Sequence, residues 1–154
     1  MHGQPGDARD HRERGDQDGD DDDLQHTVES TVQRMTRSLV VKATAGTDAP
    51  ERCAQAFTVA AVAAASGVPV SLWLTGESAW LALPGRAAEF ELAESAPLDE
   101  LLAAVLENGS VTVCSQCAAR RSITADGVLP GVRIAGAPVF IQEALADDAQ
   151  ALVY

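Results

Sequence analysis

The chain has 154 residues, 46% of them apolar and 4% aromatic, and a formal net charge of −12. That length suits one domain of ordinary size plus some excess, with a core built from small aliphatic side chains. The acidic balance denies nucleic acid and anionic membranes the basic field they require, and no continuous apolar run is long enough for a transmembrane helix.

Residues 1–35 hold ten acidic and four basic side chains, so half of the net charge sits in under a quarter of the chain. Residues 7–23 are dense in Asp, Gly and Arg, and Asp20, Asp21, Asp22 and Asp23 form a like-charge run with no apolar face. This composition reads as a disordered acidic tail, either simply solvated or serving as an interaction or weak cation-binding segment. Met35 directly precedes the first strand-like run and offers an alternative start of translation. The N-terminus has no apolar signal region, and three cysteines with two in a CxxC argue against a secreted disulfide scaffold. The cytoplasm is the expected compartment. His2, His11 and His26 all lie in the tail, and no histidine occurs from Met35 onward. Ser-His-Asp, Cys-His and His-metal chemistry are thereby removed from residues 36–154.

Residues 37–43 are a short apolar run bounded by a turn, as expected of a buried strand. A loop at 44–50 follows, in which Asp48 can N-cap the next helix and Pro50 fits its first turn. Residues 51–66 are helical and nearly all apolar after Gln55, hence buried on most sides. Cys53 in the first turn reads as a small buried apolar residue. Residues 68–74 form the second strand, Thr75-Gly76-Glu77-Ser78 its exit loop, and 79–83 one or two helical turns. Residues 86–96 are acidic and irregular. A helix from Pro97 through Leu106 carries an apolar stripe and closes at Asn108-Gly109. The third strand is 110–113, and Cys114 and Cys117 follow it. A short helix at 117–121, a strand at 132–134, a helix at 139–146 and a last strand at 151–154 complete the chain. About five strands alternating with helices predict an α/β three-layer sandwich with a mainly parallel sheet. Reactive sites in such sheets lie at the carboxyl ends of strands. Cys114, the Thr75-Gly76-Glu77 loop and the loop at 44–46 all fall on that edge.

A thiol between a strand exit and a helix entrance, with Arg120 and Arg121 nearby, should have a lowered pKa and act as the thiolate. A structural zinc site needs four ligands, and beyond the CxxC only Cys53 remains, so no metal is assigned. A thioredoxin-type centre would follow an early strand, whereas this pair follows the third. A working thiol that carries a group such as a persulfide, a dithiol switch and two inert cysteines remain open.

The segment from Cys114 through Arg121 (CSQCAARR) and the order of elements resemble the DsrE/DsrF-like family, which includes TusD-type sulfur-relay proteins and YchN-like proteins. The resemblance spans roughly residues 37–154. It rests also on the first strand with its loop and Ala-rich helix, on the Leu72 to Glu77 strand and loop, and on the C-terminal unit from Gly136 to Tyr154. It implies a YchN-like, flavodoxin-like arrangement and a homo-oligomer, trimeric or hexameric. It further implies a persulfide carried on Cys114 and exchanged with sulfur donor and acceptor proteins, with no cofactor. Two departures stand out: Ser122 occupies a position where the family often has Gly, and Cys117 is an additional thiol. Three functions follow. The first is sulfur relay on Cys114, with Arg120 and Arg121 tuning its pKa or steering an anionic partner. The second is a Cys114/Cys117 redox or regulatory dithiol. The third is a non-catalytic oligomeric module binding a small ligand at Thr75, Gly76, Glu77 and Cys114.

Overall fold

A computed structural model describes residues 37–154. The acidic tail and the three histidines lie outside the described residues. The elements are β1 (Ser38–Ala43), α1 (Pro50–Ala65), β2 (Val70–Leu74), a 3-10 segment (Gly76–Ala82), α2 (Leu98–Asn108), β3 (Ser110–Cys114), α3 (Ser115–Arg120), a 3-10 turn (Ala125–Gly127), β4 (Val132–Ala135), α4 (Ala137–Ala144) and β5 (Ala149–Val153). The five strands form one sheet in the order β4-β3-β2-β1-β5, and every pairing is parallel. The three-layer α/β reading therefore holds, and the sheet is wholly rather than mainly parallel. No helix of the described residues is long and apolar enough to cross a membrane.

Alternation along the strands gives the sheet two unlike faces. Val41, Ala43, Leu72, Leu74, Val111 and Val113 point to one side and pack with Phe57 and the alanines of α1 and with Leu98, Leu102 and Val105 of α2. Small side chains let α1 lie close to the sheet. Phe57 and Leu72 are completely buried, and each such side chain contributes about 1.5–3 kcal/mol by leaving water. The opposite face is polar. In-register pairing aligns Lys42 with Trp73, Trp73 with Thr112, and Thr112 with Arg133. Among the described residues the short helix α4 covers this row, and none of its residues is fully buried.

Glu143 of α4 ties the two layers together. Its carboxylate accepts hydrogen bonds from Ser71 Oγ and Trp73 Nε1, both at 2.7 Å, and pairs with the Arg133 guanidinium. Arg133 Nε donates to Thr112 Oγ1 at 2.6 Å. The buried Trp73 and Thr112 thus keep partners for their polar atoms, as groups removed from water must.

Several boundaries differ from the sequence reading, each for a local reason. Asp48 does not cap α1. Ala49 occupies that position, and Asp48 Oδ1 instead accepts the Gly46 N–H at 2.7 Å, closing the preceding turn. β2 begins at Val70, since Pro69 has no N–H to offer the ladder and contributes only its carbonyl, to the Leu39 N–H at 2.8 Å. α4 starts two residues early, because Pro138 fits a first helical turn. β5 also starts early, at Ala149, where the edge of β1 supplies a full parallel partner.

Burial pushes the Glu143 carboxyl up, but the hydrogen bonds from Ser71, Trp73 and Arg133 and the Arg133 charge outweigh it and hold the pKa below the usual carboxylate range. A carboxyl depressed in the folded state stabilises it fully above the unfolded value of about 4.3 and loses that stabilisation as pH falls through the folded pKa. Urea midpoints measured from pH 6 downward are therefore expected to decline below about pH 4.3 more steeply for the native chain than for Glu143→Gln. Equal acid limbs would contradict this.

Candidate functional site

β3 is a β-branched run, Val111-Thr112-Val113, and it stops at Cys114, where the backbone (φ −61°, ψ 126°) turns out of the strand and into α3. Five surroundings act on the Cys114 sulfur. Partial burial raises its pKa. The backbone N–H groups of Cys117 and Gln116, the Cys117 thiol and the charge of Lys42 together outweigh burial, and the net shift is downward. Donors that favour the charged form do this wherever they converge on a thiol. The cation comes from β1, not from α3. Lys42 sits two strands away in the row that includes Thr112, and Cys114 is two residues beyond Thr112 on the same face. The Lys42 ammonium lies 5.0 Å from the centre of the Phe140 ring, which holds it over this face.

Cys117 lies one helical turn on and is buried. Its sulfur accepts the Gly76 N–H at 3.2 Å. That contact depends on glycine: Gly76 has φ +55°, and a Cβ there would stand 2.5 Å from the Thr44 carbonyl oxygen. The carboxyl-edge loops after β1 and β2 are thereby pressed together and against the cysteine segment. Cys53 is different. It is fully buried in the core, and burial, reinforced by the Asp48 carboxylate, pushes its thiol up to about 12. All three thiols are free.

The other residues singled out from the sequence divide. Thr75 is buried and spends its hydroxyl on the Ala43 carbonyl at 2.9 Å, while Ser78 Oγ accepts the Thr75 N–H at 2.9 Å. Glu77 Oε1 accepts from Arg121 at 2.6 Å. The Arg121 guanidinium also donates to the Cys117 carbonyl at 3.3 Å and stacks 5.8 Å from the Trp80 ring centre. Arg121 thus fastens the Glu77 loop to α3, whereas Arg120 is exposed. A cleft of about 340 Å³ beside this ion pair is lined by Thr47, Glu77, Trp80, Leu81, Arg86 and Glu89, and by neither thiol.

The sequence reading missed Lys42, Phe140 and Trp80. Lys42 did leave a signal, as the one charged residue in the strand SLVVKA. Among the described residues, no group of three His, Cys, Asp or Glu side chains is placed to hold a metal ion.

Ser122 needs its own account. It follows α3 with φ +55°, the left-handed position usually filled by glycine. Its N–H bonds the Ala119 carbonyl at 3.2 Å, and the Ile123 N–H bonds the Ala118 carbonyl at 2.9 Å. This is a Schellman closure, with Ile123 buried in the core beyond it. The turn keeps its geometry with serine in place.

Fold and site together define an all-parallel α/β domain with a half-buried thiol at the carboxyl edge of its third strand. A profile of the DsrE/DsrF-like family matches residues 37–151, and the chain belongs to that family. Among solved structures, the ychN protein from E. coli is similar at a TM-score of 0.61 and 18% identity, over 77% of this chain and 100% of that one. No curated protein sequence matches.

Two outcomes are expected. Iodoacetamide should alkylate Cys114 with a pH midpoint below the ordinary thiol value of about 8.5, and Lys42→Met should move that midpoint upward. Cys53 should stay unmodified until the chain unfolds. A midpoint for Cys114 at or above the ordinary value would contradict the geometry. Separately, Ser122→Gly should stabilise the fold by about 0.5–1 kcal/mol in urea titration, since glycine carries no Cβ penalty in the left-handed region.

Proposed function

We propose that the protein carries sulfane sulfur on Cys114 as part of a sulfur relay. The observation that carries this reading is the placement of one half-buried thiol at the junction of β3 and α3, where neighbouring N–H groups, the Cys117 thiol and the Lys42 charge lower its pKa. A thiolate so stabilised attacks the outer sulfur of a donor persulfide. The S–S bond of the donor breaks, its thiolate leaves, and Cys114 holds the transferred sulfur. In the onward step an acceptor thiolate attacks the outer sulfur, the S–S bond to Cys114 breaks, and Cys114 leaves as the thiolate. Membership of the DsrE/DsrF-like family supports this role.

Arg121 is engaged with Glu77 and the α3 backbone, so its part in this reading is to position the loop that faces Cys117. Arg120, exposed at the end of α3, is free to meet an anionic donor or acceptor protein. Self-association belongs to the same proposal. Ile141 and Leu145, one turn apart at the end of α4, and Val153 of β5 are 51%, 75% and 65% exposed. Apolar side chains of this size on a thinly covered face suit a second copy of the chain.

Incubation with glutathione persulfide is expected to release one equivalent of glutathione per chain, and Cys114→Ser to lower that release by about tenfold or more. If Cys114→Ser releases glutathione as the native chain does, Cys114 is not the carrier.

A further inference from the structure

We infer that Cys117 resolves a persulfide on Cys114: the two cysteines join in a disulfide and the carried sulfur leaves as hydrogen sulfide. This rests on the reading of Cys114 as the sulfur carrier and adds a second activity to it.

Three observations lead there. First, Cys114 caps α3 and Cys117 lies one turn into it, where its thiol is among the groups that lower the Cys114 pKa. Residues three apart on one helical turn have Cβ atoms about 5–6 Å apart. A small adjustment brings them to the roughly 3.5–4.5 Å of a disulfide. Cys114, at the hinge between strand and helix, is the residue able to make it. Second, the Gly76 N–H points at the Cys117 sulfur from the far side at 3.2 Å. That contact anchors the Cys117 sulfur against the loop after β2 and so fixes its place beside Cys114. Third, Cys117 is only 8% exposed. It is closed to a bulky external donor but stands one helical turn from Cys114, so it acts after Cys114 and not in its place.

The step balances without an outside oxidant. Cys117 attacks the inner sulfur of the Cys114 persulfide, and the S–S bond between inner and outer sulfur breaks. The outer sulfur takes that electron pair and the Cys117 proton and departs as hydrogen sulfide. It is reduced from sulfane to sulfide, while the two cysteine sulfurs are oxidised to the disulfide. An external dithiol reductant returns the pair to its starting state. A carrier built this way delivers its sulfur when an acceptor is bound and discharges it when none comes.

The test loads the full chain with glutathione persulfide, removes the reagent by rapid desalting, and follows intact mass and free sulfide. Cys117→Ser is expected to keep a gain of about 32 Da, one sulfur atom. The native chain should instead end about 2 Da below its reduced mass, as a disulfide, and release one equivalent of sulfide. Cys117→Ala provides a second variant of the buried position. Persistence of the 32 Da gain in the native chain as long as in Cys117→Ser would overturn the inference and leave the carrier standing. A disulfide formed without matching sulfide would also overturn it. If neither folded Cys117 variant takes up sulfur, the carrier reading fails and this inference falls with it.

Discussion

The parallel register of the sheet is the constraint from which the rest of the molecule follows. It sets Lys42, Trp73, Thr112 and Arg133 in one row across four strands. At one end of the row, Arg133 meets Glu143 and pins α4 to the sheet. At the other, Lys42 brings a positive charge to bear on Cys114. A one-residue slip of β1 would turn Lys42 into the apolar layer beneath α1, where an unpaired ammonium cannot stay charged at acceptable cost. The apolar face enforces the register, and the register supplies the thiol with its cation.

This explains which parts of the site were legible in the sequence. Cys114 was legible because its signal is local: a β-branched run, a cysteine, then small residues that continue as helix. The alternation of strands and helices around it was legible for the same reason, since five apolar runs separated by helical periods point to a parallel α/β sheet, whereas the order of the strands in that sheet was not. Lys42 was not legible as a site residue. Its proximity to Cys114 is a property of pairing between strands about seventy residues apart, and sequence offers no register before the sheet is built. Arg121 was legible as a charge near the cysteines but not as a brace, because its partner Glu77 arrives from another loop. Asp48 illustrates the converse. The pattern for a cap was present, but the tight turn at Gly46 offered its side chain a nearer N–H.

The two cysteines of the pair are unequal because their neighbours are. Cys114 stands at the end of a strand, half-exposed, with donors gathered on its sulfur. Cys117 stands inside, and the Gly76 N–H that reaches it requires a backbone that only glycine adopts at so close an approach to Thr44. The Arg121–Glu77 ion pair then spans the same two segments, α3 and the loop after β2. It is worth little as an isolated, partly exposed pair. Its value is geometric, since it helps keep the loop where the Gly76 amide faces the buried sulfur.

Electrostatics at two ranges completes the argument. Residues 36–154 carry thirteen acidic and seven basic side chains, so the domain as a whole repels an anionic partner. That diffuse repulsion acts between solvent-exposed charges and is screened beyond about 8 Å at physiological ionic strength. Lys42 acts within a single sheet face, close to the thiol and partly withdrawn from water, where screening is weak. In the proposed relay, a negatively charged sulfur donor would meet an acidic surface at long range and a site that favours negative charge at Cys114. On that proposal the favourable terms would act only once the reacting sulfur has arrived at Cys114, so the field would select for close engagement at the site rather than for general attraction to the surface.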